Sequence, residues 1–290
     1  MSPESHGDGN GVVILSPHFD DAVLSCWSVL SGSRQVEVVN VFGGAPAAGA
    51  EPHVGELLTR VDDAVARARQ RAAEDRAALG LVGARSHNLD LPEYPHWMAS
   101  AGAARSGWRQ AARRLVEYGR NRAGRDEQRL REVMEASTPH IGGQVHVYAP
   151  AALGANPDHE VVREFGCRLL REGARVSFYA DQPYCYAYGW PHWVIGEAPD
   201  PSLDLELYWT LQLETASVSF ADLHADVVWL DRAHEEKVRA LRLYSSQFSA
   251  LEGGANRRVS NPALTGWEVF WHGDPSHSGD SAVRARDRRR

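Results

Sequence analysis

Val12-Val13-Ile14-Leu15 is followed without a break by Ser16-Pro17-His18-Phe19-Asp20-Asp21. The apolar run reads as a short buried strand. The loop after it carries one histidine and two adjacent carboxylates. Two carboxylates packed together repel each other and tend to shift their pKa values. A cation beside them relieves that repulsion, and His plus Asp are good zinc ligands.

Working outward, the loop leads into a helix that starts near Asp21. Ala22, Val23, Cys26, Val29 and Leu30 recur at helical spacing on it, and Gly32 supplies a stop. Residues 36–42 form a second apolar strand closed by Gly43-Gly44, and residues 45–55 read as a loop. A long helix is expected over 56–79, with Gly80 as its C-terminal stop. A short strand near 86–89 leads to Asp90. Residues 92–107, with Tyr94, Trp97 and Met98, read as a loop or lid. An Arg- and Glu-rich helix spans about 108–136, its charges read as a solvated face. Strand 145–149, helix 158–172 closed by Gly173, and strand 176–180 follow. This alternation predicts an α/β fold: a Rossmann-like, mostly parallel sheet with helices on both faces. Residues 190–272 read as a C-terminal mixed extension. It contains aromatic-rich segments at 203–213 and 227–230 and an amphipathic helix over 232–246. No linker demands a second domain, so 11–272 is read as a single domain, with 1–10 and 273–290 as disordered tails.

Composition narrows the function classes. Hydrophobic residues make up 43% and charged residues 24% of the 290, as in soluble globular proteins. The net charge of −7 argues against a general nucleic-acid binder. Lys237 is the only lysine, which nearly excludes a lysine Schiff base or lysine general base. Cys26, Cys167 and Cys185 are far apart and odd in number, which suits a reducing cytoplasm and gives no disulfide framework. The N-terminus lacks the order of a signal peptide. No apolar run approaches a membrane span. The expectation is a cytoplasmic protein with a small-molecule partner, no nucleic acid and no membrane insertion. A homo-oligomer is left open.

In open α/β sheets, ligands bind at the carboxyl ends of the parallel strands. Two such ends carry suggestive residues: His18, Asp20 and Asp21 after the first strand, and Gly154-Ala155-Asn156-Pro157-Asp158-His159 after strand 145–149. If these strands are neighbours, the loops converge on one site. An aspartate at a helix start also suits an N-cap, so Asp21 and Asp158 fit that plainer role as well.

Taken together, these blocks resemble the LmbE/PIG-L family of zinc-dependent de-N-acetylases. Pro17-His18-Phe19-Asp20-Asp21 is similar to that family's Pro-His-x-Asp-Asp block. Asn156-Pro157-Asp158-His159 is similar to its distant His-Pro-Asp-His block. Arg71-Ala-Ala-Glu74, Ala78-Leu79-Gly80 and Asp90 fall between them in the family's order. Tyr179-Ala-Asp181-Gln-Pro183-Tyr184, then Lys237 and Tyr244-Ser-Ser246-Gln247, follow. The resemblance implies His18, Asp21 and His159 as ligands of zinc or another divalent metal, and Asp20 as general base. It implies Arg71 and Asp90 as residues that position a sugar, although Arg71 could equally pair with Glu74 or Asp75, and Asp90 could be a turn residue.

Asn156 departs from the pattern, because the family has His there. Asn can donate a hydrogen bond but cannot transfer a proton at neutral pH. Three consequences stand open: Asp20 moves every proton with Asn156 as an oxyanion donor, another histidine such as His192 takes the role, or activity is weakened. The implied function is hydrolysis of an N-acyl group, acetyl first, from an amino-sugar conjugate such as an N-acetylglucosaminyl glycoside. The alternatives are a silent metal- or carbohydrate-binding member and an amidase acting on a non-sugar N-acyl substrate. Aromatics around Tyr94–Trp97 and Tyr184–Trp193 could stack on a sugar.

Overall fold

The computed structural model describes residues 11–33, 35–45, 61–94, 122–196, 203–253 and 258–273. Seven strands form one sheet: β1 (Val12–Ser16), β2 (Val36–Asn40), β3 (Arg85–Asn88), β4 (His146–Pro150), β5 (Arg175–Tyr179), β6 (His224–Trp229) and β7 (Trp267–Gly273). Their order is β3-β2-β1-β4-β5-β7-β6. The first five in that order run parallel, and β7 lies antiparallel to both β5 and β6. The expected α/β class with a mixed C-terminal extension is therefore observed. The extension continues the same sheet.

The helices are α1 (Asp21–Ser25), α2 (Trp27–Gly32), α3 (Val61–Gly80), α4 (Arg122–Ser137), α5 (Pro157–Arg171), α6 (His192–Ile195), α7 (Leu205–Leu213), α8 (Ala233–Leu241), α9 (Ser245–Glu252) and α10 (Pro262–Thr265). Side chains alternate across a strand, and that period sorts the apolar residues into two cores. Val13 and Leu15 of β1 face one core with Val147, Ala149, Val176 and Phe178, where α4 and α5 add Val133, Val162 and Phe165. Ile14 faces the other with Val38, Tyr148 and Tyr179, where α1, α2, α3 and α8 add Val23, Leu30, Leu79 and Leu241. Helices thus cover both faces, as a parallel sheet requires.

Strand order places the site. The chain winds outward from β1 through β2 to β3, then returns so that β4 pairs with β1 on its other edge, Val12 opposite both Val36 and His146. A crevice opens at this reversal, outside the carboxyl ends of β1 and β4.

Several expected elements differ in detail. The single helix from Asp21 to Gly32 breaks at Cys26, because the backbone N–H groups of Trp27 and Ser28 turn to the carboxylate of Glu268 on β7, at 2.7 and 2.9 Å. The 232–246 helix stops at Leu241 and restarts at Ser245. Between them Tyr244, fully buried, sends its hydroxyl to Asp75 and to the Phe19 carbonyl. Residues 205–213 are helical. Residues 46–60, 95–121, 1–10 and 274–290 lie outside the described residues, including Trp97, Met98 and most of both tails. Cys26, Cys167 and Cys185 are free and buried. Among the described residues no helix is long and apolar enough to cross a membrane.

The sole lysine is structural. Lys237 is fully buried and donates to Glu268 Oε1 at 3.2 Å, the Thr265 carbonyl at 2.9 Å and Gln182 Oε1 at 3.3 Å. Burial pulls its ammonium below the ordinary lysine range, with Glu268 opposing. Glu268 thereby joins α2, α8 and β7. Truncating one partner of a buried pair leaves the other charge uncompensated. Glu268→Ala is expected to lower the unfolding free energy by about 3–5 kcal/mol, read from urea denaturation, and a loss too small to resolve would contradict this role.

Candidate active site

The loop after β1 is built by its own short side chains. Ser16 donates its hydroxyl to the His18 carbonyl at 2.6 Å and accepts the Ala22 N–H at 3.0 Å. Asp21 Oδ2 accepts the His18 N–H at 2.8 Å. This turn folds His18 and Asp21 toward one another. Asp20 occupies the N-cap position of α1, yet its side chain makes no capping bond. Its carboxylate lines the cavity instead.

The loop after β4 carries backbone strain. Ala152, Gly154 and Ala155 adopt φ of 59°, 97° and 54°, a region that non-glycine residues seldom enter. Asp181, just beyond β5, pins this loop by accepting the Leu153 N–H at 3.0 Å. Asn156 then caps α5, its Oδ1 accepting the Asp158 N–H at 3.0 Å, with Pro157 at the first helical turn. His159 follows on the first turn, fully buried.

The two loops converge. Asp21 Oδ2 lies 3.2 Å from His18 Nδ1 and 3.2 Å from His159 Nε2, and the two nitrogens are 3.4 Å apart. Among the described residues this is a group of three whose ligand atoms could hold a metal ion. A tetrahedral cation with bonds of about 2.0–2.1 Å needs ligand atoms roughly 3.3 Å apart, so the spacing fits. The far nitrogen of each ring meets a carboxylate: His18 Nε2 faces Asp158 Oδ2 at 3.1 Å and His159 Nδ1 faces Asp181 Oδ1 at 2.6 Å. Such partners put the ring proton on the far nitrogen and aim the other lone pair inward.

The charges are matched to a cation. Burial alone would lower His159, but Asp21 and Asp181 outweigh it and raise the imidazole to about 9. His18 is raised too, Asp158 and Asp21 overcoming its burial. Burial pushes the Asp21 carboxyl up, but His159 and His18 hold it well below the usual range. Two protons or one dication satisfy the same carboxylates. Burial and the neighbouring Asp21 charge raise Asp20, with Arg71 and His18 pulling the other way.

Around these groups lies a cavity of about 550 Å³, lined by Asp20, Arg71, Glu93, Tyr94, Tyr184 and Gln247 among others. Arg71 bonds Glu93 at 2.8 Å and Gln247 at 2.7 Å, rather than Glu74 or Asp75. Among the described residues, Arg71 Nε and Gln247 Nε2 find no hydrogen-bond partner and are buried there. Asp90 is exposed, holds φ of 54° in a turn with Asn88, and does not line the cavity. His192 is 49% exposed and pairs with Glu206, also away from the cavity. Asn156 does line it, and its Nδ2 donates to the Tyr184 hydroxyl at 3.2 Å. Of the expected sugar-stacking aromatics, Tyr94 and Tyr184 line the cavity, whereas Tyr186 and Trp190 are buried in the core.

Arg129 belongs to the site without any local signal in the sequence. This side chain of the Arg-rich helix is 1% exposed, stacks 4.2 Å from the Phe42 ring centroid and pairs with Asp158. It holds the carboxylate that orients His18. The Tyr94 N–H donates to the same carboxylate at 3.1 Å. Asp181 stood in a recognisable block, yet its bond to His159 required the fold.

Comparison with known proteins agrees with the LmbE/PIG-L resemblance. No family model matches the chain. A curated relative, 2'-N-acetylparomamine deacetylase of Niallia circulans, is 26% identical over 201 residues, 61% of this chain and 68% of that protein. The fold is similar to a solved deacetylase of the teicoplanin biosynthesis pathway, with a TM-score of 0.58 and 20% identity over 91% of this chain and 97% of the other. It is also similar to the A40926 pseudoaglycone deacetylase Dbv21, with a TM-score of 0.53 and 22% identity over the same shares of each chain.

In chelator-treated protein, His159 is expected to titrate near 9 rather than its ordinary 6.5. A raised histidine stabilises the fold fully below its unfolded value, and that contribution is lost as pH rises through about 9. Histidine NMR titration checks this, with Asp181→Asn expected to bring the value down. An unshifted His159 would contradict the arrangement.

Proposed function

We propose that this protein is a metal-dependent hydrolase that removes an N-acyl group, most simply acetyl, from an amino-sugar conjugate. The observation that carries the reading is the Asp21–His18–His159 triangle, with the Asp20 carboxylate beside it on one cavity wall. The relative from Niallia circulans, by name a deacetylase of an N-acetylated amino sugar, supports the substrate class.

In this reading His18, Asp21 and His159 hold a divalent cation, and two imidazoles with one carboxylate suit zinc among others. When bound, the cation supplies Lewis acidity for the attacking water and the acyl carbonyl. Asp20 accepts the proton of that water and then delivers it to the leaving amine. The hydrolysis balances: the C–N bond breaks, the acyl carbon takes the hydroxyl of water, and the amine takes the proton. Asp158 and Asp181 keep the two imidazoles oriented. Arg71 and Gln247 line the same cavity and face the hydroxyl-bearing part of the substrate. Asp90, assigned beside Arg71 by resemblance, sits in its turn outside the lining, which supports Arg71 over Asp90 as a substrate contact.

Zinc-loaded protein is expected to release acetate from members of an N-acetylglucosaminide and N-acetyl-aminocyclitol panel. Hydrolysis of simple N-acetyl amino acids in preference to every sugar would contradict the substrate class. Asp20→Asn is expected to retain its metal while losing most turnover, by roughly 10²–10⁴-fold. His18→Ala and His159→Ala are expected to lower bound metal measured by elemental analysis. Full activity in Asp20→Asn would remove the general-base assignment.

A further inference from the structure

Asn156 stands where a proton-transferring histidine is expected, and its amide is already engaged at both ends. Oδ1 accepts the Asp158 N–H as the cap of α5. That bond decides which end of the amide is which, since only the oxygen can accept. Nδ2 therefore faces the Tyr184 hydroxyl, 3.2 Å away. An amide nitrogen only donates, so the phenol oxygen is the acceptor in this contact. The phenol's own proton must point elsewhere. Among the described residues no group accepts it, and Tyr184 lines the cavity.

Tyr184 is also held in place beside the triangle. Its ring meets the His159 ring edge-on, with centroids 5.3 Å apart and planes at 79°. Gly154 packs against it so closely that a Cβ there would come within 2.7 Å of Tyr184 Cβ. The next residue, Cys185, donates its N–H to the Asp181 carbonyl at 2.8 Å, so the segment hangs from the residue that orients His159.

We infer that Tyr184, oriented by Asn156, donates its hydroxyl hydrogen bond to the acyl oxygen of an amide in the cavity as that oxygen gains negative charge. The phenol keeps its proton throughout, and proton transfer stays with Asp20. Asn156 is then a positioning residue, acting through Tyr184. This inference rests on the deacetylase reading above.

Three variants test it: Tyr184→Phe, Asn156→Asp and the double variant, each checked for zinc content. Asp at 156 still caps the helix through an oxygen, but it accepts the phenol's proton and turns it away from the cavity. Tyr184→Phe is expected to lower kcat by about 10²-fold with KM and bound zinc unchanged. Asn156→Asp should lower kcat comparably, and the double variant should be no worse than Tyr184→Phe alone. A merely structural cap predicts instead that Asn156→Asp is silent. Wild-type kcat in Tyr184→Phe, or losses that multiply in the double variant, would overturn the inference. Acetate affinity of the zinc-loaded protein is an independent readout, expected to weaken about tenfold in Tyr184→Phe. If the wild type releases acetate from no N-acetyl sugar, the deacetylase reading fails and this affinity alone decides. Unchanged acetate affinity then overturns the role of Tyr184.

Discussion

One oxygen of Asp21 meets a nitrogen of His18 and a nitrogen of His159, each at 3.2 Å, across the gap between β1 and β4. His18 and His159 are far apart in sequence, and only the strand order brings them together. The contact would be unfavourable in isolation, because a carboxylate and two imidazoles are drawn together in a largely buried space. It is sustained by a ring of further carboxylates, Asp158 behind His18 and Asp181 behind His159, with Arg129 behind Asp158. The arrangement calls for positive charge at its centre, whether as protons or as a cation.

Scaffold and site depend on each other through these same residues. Asp181 ties the strained β4 loop to His159. Asp158 closes α5 onto its cap and receives Arg129 from α4. Across the sheet, Glu268 breaks the first helix at Cys26 and takes the lysine of α8, joining the antiparallel extension to the helix pair that begins at Asp21. The C-terminal strands therefore brace α2, which follows the β1 loop and α1.

Much of this was legible in the sequence because it is local. Val12–Leu15 and residues 145–149 read as strands from their apolar runs, and the turn residues after each marked the loops. The helix after 145–149 reads as starting at 158 with Asp158 suited to its cap, whereas the structure puts the cap at Asn156 and opens the helix at Pro157. What stayed hidden is non-local. Nothing near Arg129 in the sequence distinguishes it from the exposed Arg131 of the same helix; burial against Phe42 and Asp158 is decided by the fold. The insertion of β7 between β5 and β6 leaves no mark in periodicity. Asn156 looked like a loss at the site, and the Tyr184 hydroxyl that receives its amide was visible only in three dimensions.

His18, Asp21 and His159 are placed to hold one metal ion together, the role proposed for them. X-ray absorption spectroscopy of zinc-loaded protein tests it most directly. Zinc-loaded protein is expected to carry one zinc per chain with two imidazole nitrogens and a carboxylate oxygen at about 2.0–2.2 Å, and His159→Ala to lose the zinc or one of the two imidazoles from its shell. A zinc signal carrying sulfur, or one unchanged by His159→Ala, would contradict that role.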